Sequence, residues 1–509
     1  MPDLNQLLKL IIAAPVYDVA IKTPLQFMEN LSERLGCEIY IKREDMQPVY
    51  SFKLRGAYNK LSRLSDAEKL RGVVAASAGN HAQGVALSAK KLAISAIIVM
   101  PRTTPDIKVA AVRKLGAEVI LEGDSFDVAK QYAEMLSAQQ NRVLIPPYDD
   151  IDVIAGQGTL GLELLQQASD LDAILIPVGG GGLVAGVSAF IKSINPAIKI
   201  IAVEAEDSAC LMAAQKAGMP VDLNNVGLFA DGVAVKRIGD ITFPIIKQCV
   251  DQVITVTTDE ICAAIQDIFT DTRAIAEPAG AIAVAGIKKM YHEYSLPGNK
   301  IAVILSGANM NFHTLRHVSE RSEYGESTEA VFAATIEEHS GSFRKFCLLL
   351  NGKMITEFNY RIADSKTANI FVGIRMQNSD LERQQLLQQL TDNNIPVIDL
   401  SDDELAKVHL RYMVGGIPPK AFREQVVSFD FPEVPGALLR FLETLGGRWN
   451  ITLFHYRNHG AAYGRILAGF DVPLKEQLQF EDYLQELGYR FKNESNNPAY
   501  HLFLNPSDR

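Results

Sequence analysis

The six residues Ala173-Ile-Leu-Ile-Pro-Val178 carry no polar side chain, and four glycines, Gly179–Gly182, follow at once. A strand without a polar face has to be covered on both sides, which is the situation of a parallel strand with helices above and below. Short β-branched runs of the same kind recur at Glu38–Lys42, Gly72–Ala76, Ile94–Met100, Ala117–Leu121, Lys199–Glu204 and Lys300–Leu305. Helical patterns separate them, such as Asp106–Leu115 and Ser125–Gln139; in the latter Phe126, Ala129, Tyr132, Ala133 and Leu136 form one stripe of period 3.6. Strands alternating with helices predict an α/β fold built on parallel sheets.

With 509 residues the chain is long enough for several folding units. A net charge of -10 argues against a nucleic-acid partner and against docking on anionic membranes. The five cysteines are scattered and contain no C-x-x-C, so neither a disulfide framework nor a zinc site is expected. The N-terminus starts acidic, Lys9 interrupts its apolar patch, and the apolar run Ala93–Met100 is far short of a membrane span. These features predict a cytoplasmic protein in a reducing compartment.

Near residue 320 the style changes. Arg316–Glu329 is polar and charged and reads as a boundary. Beyond it the chain repeats: Glu338–Phe346 aligns with Glu433–Phe441 at an offset of 95, and Ile355–Arg361 with Ile451–Arg457 at 96. Val372-Gly373-Ile374 meets Ala468-Gly469-Phe470, again at 96. Each copy reads as a small α+β module of the ferredoxin-like kind. The pair is either an oligomerisation unit or a small-ligand sensor; His409, His455 and His459 have no nucleophile-like neighbours.

Four motifs in the front half carry chemistry. Lys42-Arg-Glu-Asp45 leads into Ser51-Phe52-Lys53-Leu-Arg-Gly-Ala57, a lysine at a strand-to-helix junction. Ser77-Ala78-Gly79-Asn80-His81-Ala-Gln-Gly84 is a small, polar turn opening a helix, whose amides suit a carboxylate. In Gly179–Gly182 and Leu183 four missing Cβ atoms let amides converge on a phosphate, and no Gly-Lys-Ser/Thr follows to make a nucleotide P-loop. Ser306-Gly307 ends an apolar strand; the serine is a helix cap or a partner for a ring nitrogen. Glu277 before Pro278 reads as N-terminal capping chemistry, with a catalytic role as the alternative. A rival stands on Gly180–Ala185, which fits G-x-G-x-x-A, with Glu204 placed as a ribose-binding acid. That dinucleotide reading leaves the lysine and Ser77–Gln83 motifs without a role.

In this order, and with the duplicated tail, the motifs resemble the threonine ammonia-lyase (threonine deaminase) family of fold-type II pyridoxal phosphate enzymes. The resemblance spans essentially the whole chain; its one departure is Gly307-Ala308-Asn309, where many relatives read Gly-Gly-Asn. It implies a two-lobed, tryptophan-synthase-β-like α/β unit at 1–320, a linker at 321–329, and two ACT-like modules at 330–401 and 425–496. Lys53 would form the Schiff base with pyridoxal phosphate and take the Cα proton. Gly179, Gly180, Gly181, Gly182 and Leu183 would hold the phosphate, Asn80 the ring hydroxyl and Ser306 the ring nitrogen. A serine there does not enforce a protonated ring, which favours prompt β-elimination. The substrate carboxylate would sit on Ser77, Ala78, Gly79, Asn80 and His81. The implied reaction takes L-threonine to 2-oxobutanoate and ammonia, and L-serine to pyruvate, as the committed step of isoleucine biosynthesis. No side chain stands out as the acid for the leaving hydroxyl, for which the cofactor phosphate is one candidate. The tail would sense isoleucine as inhibitor and valine as activator in a homotetramer. Tyr360 and Tyr456, at matched repeat positions, are nominated as effector contacts, with duplicated core tyrosines as the alternative.

Overall fold

Most of the apolar run Ala173–Val178 folds as one buried strand. In the computed structural model it is β7 of a series whose members, in chain order, are β1 (Leu25–Phe27), β2 (Glu38–Arg43), β3 (Val73–Ala76), β4 (Ala96–Met100), β5 (Glu118–Leu121), β6 (Val143–Leu144), β7 (Ala173–Pro177), β8 (Lys199–Ala205), β9 (Gln252–Val256) and β10 (Lys300–Leu305). The structure describes residues 3–312 without a break, and after them 314–325, 329–337, 346, 349–350, 353, 355–362, 367–376, 379–408, 410, 424–432, 449, 451–457 and 463–504.

β7 lies inside a six-stranded sheet of order β1-β2-β10-β7-β8-β9, parallel throughout except at the edge pair β1–β2. All five of its residues are buried. Successive side chains point to opposite faces, and two cores result. Ala173 and Leu175 pack with the helix Pro278–Glu293, whereas Ile174 and Ile176 pack with the helices Ile151–Gln167 and Gly182–Ile194. A second, wholly parallel sheet, β5-β4-β3-β6, makes a smaller lobe. There Val73 and Ala75 face the helices Lys53–Ser62 and Asn80–Lys91, and Val74 and Ala76 face Phe126–Gln140.

The chain divides into two units, Met1–Ser322 and Glu323–Arg509. The stretch expected as a linker at 321–329 is in part regular structure: the helix Thr314–Gly325 runs into it, and the next strand starts at Glu329. Arg321 and Glu329 are both buried here, so their charge does not mark a solvated linker.

The second unit holds the duplication in three dimensions. The strands β11 (Glu329–Glu337), β12 (Ile355–Ile362), β13 (Thr367–Arg375) and β14 (Val397–Asp399) form an antiparallel sheet of order β12-β13-β11-β14. The strands β15 (Glu424–Pro432), β16 (Ile451–Arg457), β17 (Tyr463–Asp471) and β18 (Arg490–Asn493) form its twin, β16-β17-β15-β18. With the helices Ser379–Asp392 and Gln477–Glu486 before the last strands, this is the ferredoxin-like order expected. Each twin breaks register once, between Ile355 and Glu357 and between Ile451 and Leu453, at equivalent places. The aligned pair Glu338–Phe346 and Glu433–Phe441 lies, Phe346 apart, outside the described residues. The modules share a core in which Val331, Ala333 and Phe371 meet Val426 and Leu467 through the C-terminal helix Pro498–Phe503. Among the described residues no helix is long and apolar enough to cross a membrane.

Candidate active site

Lys53 is the first residue of its helix, and that helix start is fixed from behind. The Arg55 guanidinium, fully buried, binds both oxygens of Glu44 at 2.8 Å, Glu163 Oε1 at 2.7 Å and Thr159 Oγ1 at 3.2 Å. Lys42 Nζ completes the cluster, reaching Glu163 Oε2 at 2.6 Å, Thr23 O at 2.7 Å and Gln167 Oε1 at 2.8 Å. Burial alone would raise the Glu163 carboxyl, but Arg55 and then Lys42 outweigh it and hold it below its ordinary value. The motif residues Lys42, Glu44 and Arg55 therefore lock β2, the following turn and the helix Ile151–Gln167 onto the base of Lys53.

The amine itself is treated differently. Lys53 Nζ donates to the Pro147 carbonyl at 3.0 Å. Desolvation pushes it down to about 8, against the opposing pull of Glu277.

Three loops converge on this lysine from the carboxyl ends of β3, β7 and β10, the usual place for a ligand in an α/β sheet. After β3, the Ser77 hydroxyl accepts from the Gly79 and Ala82 amides, both at 3.2 Å, and the Ser77 amide donates to Val99 O. This leaves the amides of Ala78, Asn80 and His81 for a carboxylate. The His81 ring is buried with Nε2 3.0 Å from Ile145 O; burial first, then the Lys53 charge, takes it down to about 3. It is thus a neutral structural histidine whose use to a ligand is through its backbone.

After β7 the glycine run turns into the helix Gly182–Ile194. Gly181 has φ +92°, a conformation that an L side chain rarely adopts. A Cβ at Gly180 would lie 2.2 Å from the Tyr148 ring. The carbonyls point away, Gly180 O accepting from Thr242 Oγ1 at 2.9 Å and Gly179 O from Cys210 Sγ at 3.4 Å. Among the described residues none accepts from the amides of Gly180 to Leu183, so these donors stand open at a helix N-terminus. Glu204, the acid of the dinucleotide alternative, is fully occupied: its two oxygens accept from the Leu211 and Met212 amides at 2.7 and 2.8 Å. It caps the helix Cys210–Ala217 and has no face left for a ribose.

After β10, Ser306 Oγ donates to Ala279 O at 3.3 Å, and Ser306 O accepts from the Phe52 amide. Ser51 and Gly307 form an antiparallel bridge, which ties this loop to the lysine segment. Asn309 Nδ2 donates to Val49 O at 2.8 Å and to Asn80 Oδ1 at 2.6 Å. Asn80 Nδ2 in turn donates to Glu277 Oε1 at 2.5 Å. The capping role expected for the Glu277 side chain is not what forms: it makes no cap hydrogen bond to its helix and turns into the site. Asn309 is the position in this network to which the sequence analysis gives no role, the short spacing from Ser306 being the available signal, whereas Glu277 reads there first as a cap with a catalytic role as the alternative.

Hydrogen bonds tie the lysine segment to Ser306, while Tyr148, next to the Lys53 acceptor Pro147, lies against Gly180 of the open amide cradle. Residues 16–307 match the family model described as pyridoxal-phosphate dependent enzyme. Residues 320–410 and 418–504 match the one described as C-terminal regulatory domain of threonine dehydratase. The biosynthetic L-threonine dehydratase of Salmonella typhimurium is 58% identical over 503 residues, 99% of this chain and 98% of that protein. The chain belongs to the biosynthetic threonine dehydratase family. The mitochondrial threonine dehydratase of Saccharomyces cerevisiae is 46% identical, with 97% of this chain and 88% of that protein covered. The solved processed form of threonine deaminase isoform 2 from Solanum lycopersicum covers 62% of this chain and 92% of its own, at 50% identity and a TM-score of 0.61.

Pyridoxal phosphate is the cofactor of threonine dehydratases as pyridoxal-phosphate dependent enzymes, and the residues present fit it. The open amides of Gly180–Leu183 suit its phosphate, and the depressed Lys53 amine suits a carbonyl partner. In the dehydratase tail, Tyr360 pairs with Ile370 and Tyr456 with Ile466, so the two tyrosines occupy equivalent strand positions; their side chains lie outside the described residues.

Proposed function

We propose that this chain dehydrates L-threonine to 2-oxobutanoate and ammonia, with pyridoxal phosphate on Lys53, and acts in the same way on L-serine to give pyruvate. The observation that carries the reading is a lysine amine with its value lowered to about 8, set among phosphate-ready amides in a chain of this family. Bound there, the cofactor supplies the electron sink that acidifies the Cα–H of the amino acid joined to it.

The chain's own residues do the rest. The amides of Gly179–Leu183 hold the phosphate, Asn80 holds the ring hydroxyl with its spare N–H, and Ser306 offers its oxygen to the ring nitrogen. The amides of Ala78, Asn80 and His81 at the N-terminus of the helix Asn80–Lys91 orient the substrate carboxylate. Lys53, released by the incoming amine, is about half neutral at pH 8, and in that form takes the Cα proton. Loss of the β-hydroxyl as water leaves an enamine that hydrolyses once free of the site.

The 1–320 portion is read as catalytic and the modules 330–401 and 425–496 as a regulatory pair, in a cytoplasmic homotetramer. The twin modules support feedback control, with isoleucine as inhibitor, valine as activator and Tyr360 and Tyr456 as contacts, at a coupling of about 1–3 kcal/mol. The test is 2-oxobutanoate release from threonine with and without isoleucine, alongside borohydride trapping of the cofactor on Lys53. Turnover that isoleucine suppresses is the expected result. A purified chain that takes up no cofactor and releases no 2-oxobutanoate would refute the reading.

A further inference from the structure

Glu277 is the N-terminal cap residue of the helix Pro278–Glu293, yet its carboxyl leaves that helix and enters the site. Its place there is built. Asn309 is anchored on the Val49 carbonyl and fixes the Asn80 amide by donating to Oδ1, so the Asn80 N–H group is left facing Glu277. Opposite stands Gly307, where a Cβ would come within 2.4 Å of Glu277 Oε1 and 3.2 Å of Asn80 Nδ2. Only the missing side chain gives the carboxyl its room. The bridge partner of Gly307 is Ser51, two residues before Lys53, and bridged residues project to the same face. Ser51 is fully buried, and its hydroxyl has no hydrogen-bond partner among the described residues. The carboxyl thus lies beside the segment that carries the lysine and acts on its charge.

We infer that Glu277 is the counter-acid of the site: it takes up the proton that the Lys53 ammonium must lose before the amine can act. This rests on the reading of Lys53 as cofactor lysine and base. The step needs no further reactant. A proton passing from the Lys53 ammonium to the Glu277 carboxylate turns an ion pair into a neutral amine and a neutral acid, with total charge unchanged.

The surroundings bring that neutral pair to within about tenfold of the ion pair. Three charged groups act on Glu277: Asp231 and Lys108, themselves paired at 2.5 Å, and Lys53. Burial and then Asp231 push the carboxyl up to about 7, while Lys108, the Asn80 side chain and the Asn309 amide pull the other way. The amine, lowered to about 8, is therefore only about one unit from the acid it faces, and the two titrate as a coupled pair. Glu277 is a positioning and charge-setting residue; Lys53 remains the group that touches the reacting carbon.

Glu277→Gln tests this in the full-length, cofactor-loaded protein, because it preserves shape and the Asn80 contact but carries no proton. Three measurements are made: borohydride tagging of Lys53, the pH titration of the cofactor absorbance, and the pH profile of kcat/KM. Lys53 is still tagged, and the acidic limb of both pH curves moves down by about one unit, since the anion that held the proton on the amine is gone. Should the glutamine variant fail to fold, Glu277→Asp withdraws the carboxyl by one methylene and moves the limb the same way by less. A tagged Lys53 with an unmoved limb in the folded variant overturns the role of Glu277 and spares that of Lys53. Absence of the tag in the unmodified protein overturns the reading of Lys53 itself.

Discussion

Two sets of buried charges sit within one stretch of chain and have opposite fates. Lys42, Glu44, Arg55 and Glu163 bind one another in bidentate and threefold contacts at 2.6–2.8 Å. Burial would lower the Arg55 guanidinium, but Glu44 and Glu163 outweigh it and raise it. Lys53 and Glu277, by contrast, have few and neutral hydrogen-bond partners, the Pro147 carbonyl for the amine and the Asn80 side chain and Asn309 amide for the carboxyl, and both shift toward neutrality. Saturated partners fix a charge as scaffold, whereas sparse partners leave a group able to change charge during a reaction. Two residues of helix separate the two regimes.

The comparison can be broken most directly at Lys53. Lys53→Ala should lower 2-oxobutanoate release by about 10³-fold or more while leaving the unfolding midpoint close to that of the parent, since no saturated ion is disturbed. Arg55→Ala should do the reverse in kind: stranding Glu44 and Glu163 costs about 3–5 kcal/mol in denaturant unfolding. If the Arg55 variant were as stable as the parent, the cluster would not be scaffold.

Glu277→Gln sharpens the contrast by its sign. The folded-state value of about 7 lies above the ordinary 4.5, so the folded chain binds this proton more tightly than the unfolded one. Its contribution is therefore full below about pH 4.5 and is lost as the pH rises through 7. Without cofactor, the glutamine variant should be more stable than the parent by up to about 3 kcal/mol at pH 8, with no gain at pH 4.5. Equal stability at both pH values would count against it. The smallest effect belongs to Glu204→Gln, which puts an amide nitrogen in place of one of the two oxygens that accept from the Leu211 and Met212 amides: a loss of about 1 kcal/mol with threonine turnover unchanged. A collapse of turnover there would reopen a role for that acid in the site.

Much of this was legible because the chemistry leaves local marks. Gly179–Gly182, Ser77–Gly84 and Ser51–Lys53 each announce a turn, and each turn stands where the pattern puts it. The uniformly apolar β7 announces a covered strand, and the period of 96 announces the twin sheets. What the sequence hid was tertiary in origin. Val143–Leu144 is a two-residue strand, and Leu25–Phe27 a three-residue one, both too short to show a period. Gln252–Val256 has only Ile254 and Val256 buried, so its polar residues dilute the signal. Glu277 and Pro278 carry a sound capping signature, and no local rule says that a glycine thirty positions on will open a cavity for the carboxyl instead.

The shared bulge in β12 and β16 has a consequence of its own. Moving a bulge by one residue flips every side chain beyond it to the other face, so a paired irregularity of this kind is inherited far more readily than it is reinvented. The two sheets are in that sense interchangeable castings from one mould. The matched strand order and register make the second unit a natural template for chimeras that exchange one copy for the other.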